Sequence, residues 1–346
     1  MKATGIALAI LILAAAAVGG GYYWLEKQFV AQGPAAQALR IDVEPGTSVR
    51  SVLAMLQARG ALRYPREIEL YLRLHGRHLT IKAGTYEIAA GASPAAIVDL
   101  LQEGRVILEA LTIVEGTSFA DLRRSLAGDS DVVTTLAGKS DAQVMSAIGH
   151  EGEFPEGRFF PDTYRFAARS TDVEILKLAY ASMQRLLDES WSGRAQNLPF
   201  NTPYEALILA SVVEKETGLA NERARIAGVF VTRLRRGMRL QSDPTVIYGL
   251  GANYDGEIHT RDLTTDTPYN SYTRLGLPPT PIALPGRDAL LAAVHPDETG
   301  DLYFVATAAG DGAHHFSKTL EEHNAAVKQY LGRLRQAAGA AKTGSQ

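Results

Sequence analysis

The sequence predicts an α+β protein in which a single apolar N-terminal helix precedes a small α/β module and a larger, mostly helical domain with a few strands. Three observations carry this prediction. Residues 6–24, IALAILILAAAAVGGGYYW, hold no charge and are about long enough to cross a hydrocarbon core of roughly 30 Å as a helix. Between residues 41 and 126 a strand, a glycine turn and an amphipathic helix recur three times. Beyond residue 129, apolar side chains fall mostly at helical spacing.

The apolar helix reads as a membrane anchor. Lys2 precedes it, and Tyr22, Tyr23 and Trp24 stand at its far end as an interfacial aromatic belt, which orients residues 1–5 to the cytoplasm and the bulk of the chain outside. Lys27 on the other flank thins the charge argument. A cleaved signal peptide is the competing reading, and it exports the body equally. At 346 residues the chain exceeds one typical domain, and 46% hydrophobic with 21% charged residues is ordinary globular composition. A net charge of −3 and a pI near 6.3 exclude the polycationic signature of a nucleic-acid binder. With no Cys, disulfides, thiol nucleophiles and thiolate metal sites are excluded too.

Residues 25–39 read as a linker, polar and Ala-rich with a Gly-Pro break. The small module follows at 40–108. In IDVEPGTSVRSVLAML, YEIAAGASPAAIVDLL and LTIVEGTSFADLRRSL, residues Gly46, Gly91 and Gly116 come into register, with Ser48, Ser93 and Ser118 two residues on. Val52, Ile97 and Leu122 fall six residues after each Gly, and Leu56, Leu101 and Leu126 ten after. Each unit reads as strand, glycine turn, Ser N-cap and helix. Residues 64–74 form another amphipathic helix and 80–88 a strand pair around Gly84. The repeat is either common βα turn chemistry or a small carbohydrate-binding or adaptor module resembling LysM.

The larger domain is placed at 109–334. Residues 152–166, GEFPEGRFFPDTYRF, interrupt its helical pattern. There Phe154, Phe159, Phe160, Tyr164 and Phe166 either wall a sugar groove or, in the more ordinary role, anchor a loop in the core. Helices are expected at 173–187 and 221–235, a strand or short helix from Asp243, and a structured loop with five prolines at 267–286. Residues 288–294 read as a short helix, 301–306 as a buried strand that 314–316 can join, 319–334 as a terminal helix and 335–346 as a disordered tail. The most legible element starts at Thr202, an N-cap with Pro203 at the first helical position and Glu205 completing a capping box, and Gly218 ends it. Its last turn holds Glu214, Lys215 and Glu216. Carboxylates there face the negative end of the helix dipole, which tends to raise their pKa.

No G-x-S-x-G elbow, Walker loop or dinucleotide-binding glycine motif is present, and the eight His include no H-E-x-x-H. His259, Asp262 and Asp266, or His314, His315 and His323, are ligands by type alone, so no metal and no cofactor are expected. Acids remain. Glu214 and Glu216 point roughly 200° apart on a helix and cannot serve one substrate together. Glu216 shares an apolar stripe with Leu209 and Val213, which suits a general acid of raised pKa. Glu214 follows Leu207, Ala210 and Ser211, so spacing favours Glu216 only slightly, and a helix-end salt bridge to Lys215, Arg223 or Arg225 is the plain alternative. Downstream stand mostly neutral hydrogen-bonding groups: Gln241, Tyr254, Tyr269, Asn270, Ser271, Tyr272 and Thr273, with Asp243 as the one possible partner acid or else a turn residue before Pro244. One acid among neutral groups fits glycan cleavage in which the substrate's own N-acetyl group stabilises the reacting centre.

At this point the blocks ASVVEKETGLANERARIAGVFVTRLRRGMRLQSDPTVIYGLG, EGRFFPDTYRF, TPYNSYTRLGLPP and LYFVA, in this order and spacing, resemble the endolytic murein transglycosylases, the YceG-like family. The resemblance covers nearly the whole chain and is weakest in the linker and tail. It implies a single-pass inner-membrane enzyme with its N-terminus cytoplasmic and its catalytic domain periplasmic. It would cut peptidoglycan strands internally, without water, and end nascent strand elongation beside peptidoglycan synthases. Glu216 matches the family's catalytic acid and base, and Glu222, Gln241, Asp243, Tyr269, Asn270 and Thr273 match motif positions expected to line the cleft, joined by Tyr254. Thr280 departs from the Gly that relatives often carry, which puts that loop's shape in doubt. A non-catalytic peptidoglycan-binding adaptor and a hydrolytic muramidase are the alternatives.

Overall fold

In the computed structural model the backbone is described for residues 2–343 and side-chain surroundings for residues 5–336. Helix α1 (Lys2–Val30) is long and apolar enough, from Gly5 on, to cross a membrane by length and composition. Its first turns leave Ile6, Leu11 and Leu13 exposed, but Leu25 and Phe29 are buried. The expected linker therefore begins as helix. Phe29 enters the core of the module and stacks on Tyr71 with ring centroids 3.8 Å apart.

Two compact units divide the chain. One holds residues up to Ala110 with Arg165–Ser170, the other Leu111–Tyr164 and the chain from Thr171 on. In the first, β1 (Leu39–Val43) leads to α2 (Val49–Ala58), then α3 (Pro65–Leu74), β2 (Gly84–Ile88), α4 (Pro94–Glu103) and β3 (Leu108–Thr112). The recurring chemistry is visible atom by atom. Gly46 and Gly91 take positive φ, and the Ser48 and Ser93 hydroxyls accept the N–H groups of Ser51 and Ala96 at the helix starts. β1 and β2 pair antiparallel, Leu39 opposite Ile88 and Val43 opposite Gly84. The strand pair expected at 80–88 is a single strand. The Lys82 carbonyl accepts the Tyr86 hydroxyl at 2.8 Å, so the chain before Gly84 bends back as a loop. Ile41, Val52, Leu56, Tyr86, Ile97 and Leu101 close the core of this unit.

The second unit carries the third repeat into α5 (Phe119–Gly128), followed by α6 (Asp141–Ile148); β4 (Thr163–Ala167), whose residues from Arg165 on belong to the first unit, pairs with β3. Phe159, Tyr164 and Phe166 are buried, and Phe159 stacks on Phe119 at 5.0 Å. These aromatics thus act as loop anchors, and Phe154 alone of the five is exposed. Next come α7 (Asp172–Ser192), α8 (Pro203–Glu216), α9 (Ala220–Arg235), α10 (Asp243–Leu250), α11 (Thr260–Thr264) and α12 (Arg287–Val294). The antiparallel pair β5 (Tyr303–Ala306) and β6 (His314–Ser317) precedes α13 (Leu320–Thr343). The last helix runs on through much of the expected tail, of which residues 344–346 lie outside the described residues.

Helix α8 is the centre of this unit. Every residue from Ala206 to Val213 is buried, against α12, α9 and α7. It is covered all round rather than striped, which is how a core helix differs from a surface one. Gly228 explains the fit of α9 beside it: a Cβ there would stand 2.0 Å from the Asp297 carbonyl oxygen, so only Gly admits that turn of backbone.

Candidate active site

The site grows from the C-terminal end of α8. Its start is fixed by the reciprocal bonds of Thr202 and Glu205. At its end the chain swings out through Thr217, in extended conformation, leaving Glu216 as the last helical residue. The Ser242 hydroxyl donates to Glu216 Oε1 at 2.5 Å. Part of the Glu216 side chain remains open to solvent, yet its carboxyl sits among enough protein to be strongly desolvated. Desolvation pushes its pKa up to about 7; the Ser242 bond opposes this, the nearby Asp243 carboxylate adds to it and the Arg233 charge counters it.

Glu214 has a different setting. It accepts the Gly286 N–H at 2.9 Å and lies 3.9 Å from Arg223, with only 7% of its side chain exposed. Burial raises its pKa too, against the Gly286 bond, with Glu115 adding repulsion. The helix-end salt bridge is therefore made by Glu214 to Arg223, whereas Glu216 has no ion-pair partner among the described residues. Between them Lys215 turns outward to the Gly116 carbonyl at 2.9 Å.

The Ser242 side of the site is a tight turn. Gln241 holds a left-handed φ of 51°, uncommon for a residue with a Cβ. Its N–H donates to Ser271 O at 3.1 Å, the Ser242 N–H to Ser271 Oγ at 2.9 Å, and Thr245 Oγ1 to Ser242 O at 2.6 Å. Ser242, Thr245 and Ser271 are all buried, so these hydroxyls fix the turn from within. Tyr272 donates to Asp243 Oδ1 at 2.5 Å. Burial and that carboxylate raise its pKa and keep it a phenol. Arg233 reaches the same turn, donating to Leu240 O at 2.7 Å.

The expected cleft residues separate into two groups. Gln241 and Asp243 flank Ser242 on the turn that meets Glu216. Tyr269 donates or accepts at Thr280 Oγ1, 2.9 Å away, and sits edge-on to Tyr248. Thr280 thus has a hydroxyl partner where a Gly would have none. Asn270 is buried and points its amide at the carbonyls of Asp262, Leu263 and Thr265, tying down the end of α11. Thr273 bonds Asp266 at 2.8 Å, and Tyr254 bonds the Gly256 carbonyl in an exposed turn. Glu222 receives both the His314 N–H at 2.9 Å and His314 Nδ1 at 2.7 Å, joining α9 to β6. Each of these four side chains has a hydrogen-bond partner within the protein. Ser242, Arg233 and Glu156 were not singled out by spacing. Ser242 stood in the quoted QSDPT run, Arg233 looked like one of several basic residues at a helix end, and Glu156 lay unmarked in EGRFF. Glu156 is 4% exposed, accepts the Phe119 N–H at 2.9 Å and the Tyr248 hydroxyl at 3.1 Å, and burial pushes its pKa up to about 7. Among the described residues no cluster of three His, Asp or Glu side chains forms a candidate metal centre.

Such a site can give and take one proton near neutral pH. Over 317 residues the chain is 29% identical to an endolytic murein transglycosylase of Bacillus subtilis, covering 85% of each. It is 27% identical over 361 residues to one of Streptococcus pneumoniae, spanning 94% of this chain and 65% of that protein. A crystal structure of a YceG-like protein from Listeria monocytogenes superposes with a TM-score of 0.51 at 26% identity, over 84% of this chain and 99% of that one. The YceG-like family itself matches residues 41–329, most of the sequence and all of the site just described, and the chain belongs to that family.

Proposed function

We propose that this protein is a membrane-anchored endolytic lytic transglycosylase that cleaves the β-1,4 bond between MurNAc and GlcNAc inside peptidoglycan strands. The observation that carries the reading is Glu216, a desolvated carboxyl with a pKa near 7 and a single hydroxyl donor, in a chain of this family. Half-protonated near neutrality, it can donate to the glycosidic oxygen as the C1–O bond breaks. The resulting carboxylate then takes the proton of the MurNAc 6-hydroxyl as that oxygen closes onto C1. Both the proton and the valence at C1 are accounted for, no water enters, and the product ends in a 1,6-anhydro ring. Gln241, Asp243 and Tyr269 are assigned to the cleft wall. Asp243 is occupied by the Tyr272 hydroxyl, which favours a polar wall over a second catalytic carboxylate.

In the same proposal α1 spans the inner membrane with residues 1–5 cytoplasmic and the catalytic domain, 109–334, periplasmic. The 40–108 module acts as a LysM-like glycan contact, and peptidoglycan synthases are the natural neighbours of an enzyme that ends nascent strands. Incubating the detergent-solubilised protein with purified glycan strands and weighing the fragments tests the reaction. Anhydro ends are one water lighter than reducing ends. Reducing ends alone identify a hydrolytic muramidase, and strands bound but uncut identify an adaptor.

A further inference from the structure

Arg233 is a buried cation whose hydrogen bonds run to the 239–241 turn and to Leu302. It is 7% exposed, and among the described residues no carboxylate lies within salt-bridge distance of it. Its Nε donates to Leu302 O at 2.7 Å, and its Nη1 donates to Leu240 O at 2.7 Å with longer contacts to Arg239 O and Gln241 Oε1 at 3.3 and 3.4 Å. The Tyr303 ring lies 5.2 Å from Cζ. Burying a guanidinium without a counter-ion is unfavourable, so the carbonyls it collects are what keep it in place. The Arg239 and Leu240 carbonyls lead directly into Gln241, which holds the left-handed conformation, and the next residue is Ser242, whose hydroxyl meets Glu216. An unusual backbone angle held by a buried charge beside a candidate acid points from strain toward function.

Given the reading of Glu216 as proton donor, we infer that Arg233 is its positioning residue: it clamps the 240–242 turn so that Ser242 meets the carboxyl, and it supplies the positive charge that the carboxylate faces once the proton has gone. The electrostatics agree, since Arg233 and Glu216 each favour the charged form of the other. Other titratable groups facing the pair are Asp243 and Tyr272 on the Glu216 side, with Tyr303 and His323 near the guanidinium. A purely structural Arg233, serving only to tie Leu302 to α9, would leave the titration of Glu216 alone.

The test compares Arg233→Met and Arg233→Lys in the full chain. It follows the pH dependence of kcat/KM on glycan strands and, separately, the titration of the Glu216 carboxyl by 13C NMR. Loss of the charge in the Met variant removes stabilisation of the carboxylate. Both midpoints are then expected to move up by about one pH unit, the scale of an opposite charge nearby. The Lys variant keeps the charge but lacks the planar fork that holds two carbonyls. Its midpoint is expected to stay, while the rate falls on the order of tenfold through the loosened turn. An unmoved carboxyl titration in a folded Met variant overturns the electrostatic half. Wild-type rates in the Lys variant overturn the clamp. If Met prevents folding, a shifted midpoint in the Lys variant overturns the assignment by itself. A protein that yields no anhydro ends at any pH defeats the transglycosylase reading instead, and the NMR titration still reports on Arg233.

Discussion

Glu216 and Glu156 both hold protons near neutral pH for the same first cause, desolvation, and differ in access. Glu156 is sealed between the first residue of α5 and Tyr248, whereas Glu216 keeps an opening to solvent. For Glu156 the consequence is a pH-dependent stability. A carboxyl whose pKa rises from 4.5 to about 7 on folding binds its proton more tightly in the native state. Its contribution is full below pH 4.5 and is lost as pH climbs through 7. Glu156→Gln is therefore expected to gain on wild type in urea denaturation as pH rises, by up to about 3 kcal/mol between acidic and mildly alkaline conditions. Parallel profiles would refute it. Under the role proposed for Glu216, Glu216→Gln is expected to lower cleavage about 10³-fold. Ser242→Ala, by removing a bond that favours the carboxylate, is expected to move the alkaline fall-off to higher pH in a rate profile. In α8 itself, a helix buried all round, no stripe separates Glu214 from Glu216; what distinguishes their settings is Ser242 and Arg223, partners far along the chain or on another helix.

At the scale of elements, what was legible is what is local. Glycine turns and Ser caps fix the strand–helix repeats within a dozen residues, and the Thr202–Glu205 box fixes the start of α8. Ser118→Ala, which strips the cap and half of a capping box from α5, is expected to cost about 1 kcal/mol in thermal or chemical denaturation. Gly228→Ala runs against helix propensity in an instructive way. Alanine gains roughly 1 kcal/mol in a helix interior, but its Cβ would meet the Asp297 carbonyl at 2.0 Å. The expected net result is a loss of about 1–2 kcal/mol, read as a lowered melting temperature; an unchanged melting point would show that the 295–298 turn yields freely. The segment at 80–83 and the destinations of Asn270, Thr273 and Glu222 were illegible for the opposite reason. Their hydrogen bonds run to tertiary partners that no spacing rule announces.

For the whole molecule, composition and hydropathy announced the apolar helix and two folded units, but not that the helix continues into a folded core. Removing residues 1–24 is expected to free the protein from membranes with the first unit intact, whereas removal through residue 33 also takes Leu25 and Phe29 out of its packing. Losing a buried Phe alone costs about 3–5 kcal/mol, so the longer truncation should unfold that unit under proteolysis at temperatures where the shorter one resists. The absence of a hinge at that junction has a geometric corollary. Once α1 lies across a bilayer, its azimuth sets the azimuth of the first unit: one residue added before Leu25 turns that unit by about 100° and lifts it by about 1.5 Å. Bilayer thickness and helix tilt then become coordinates of where the first unit stands, set by the lipid as much as by the protein.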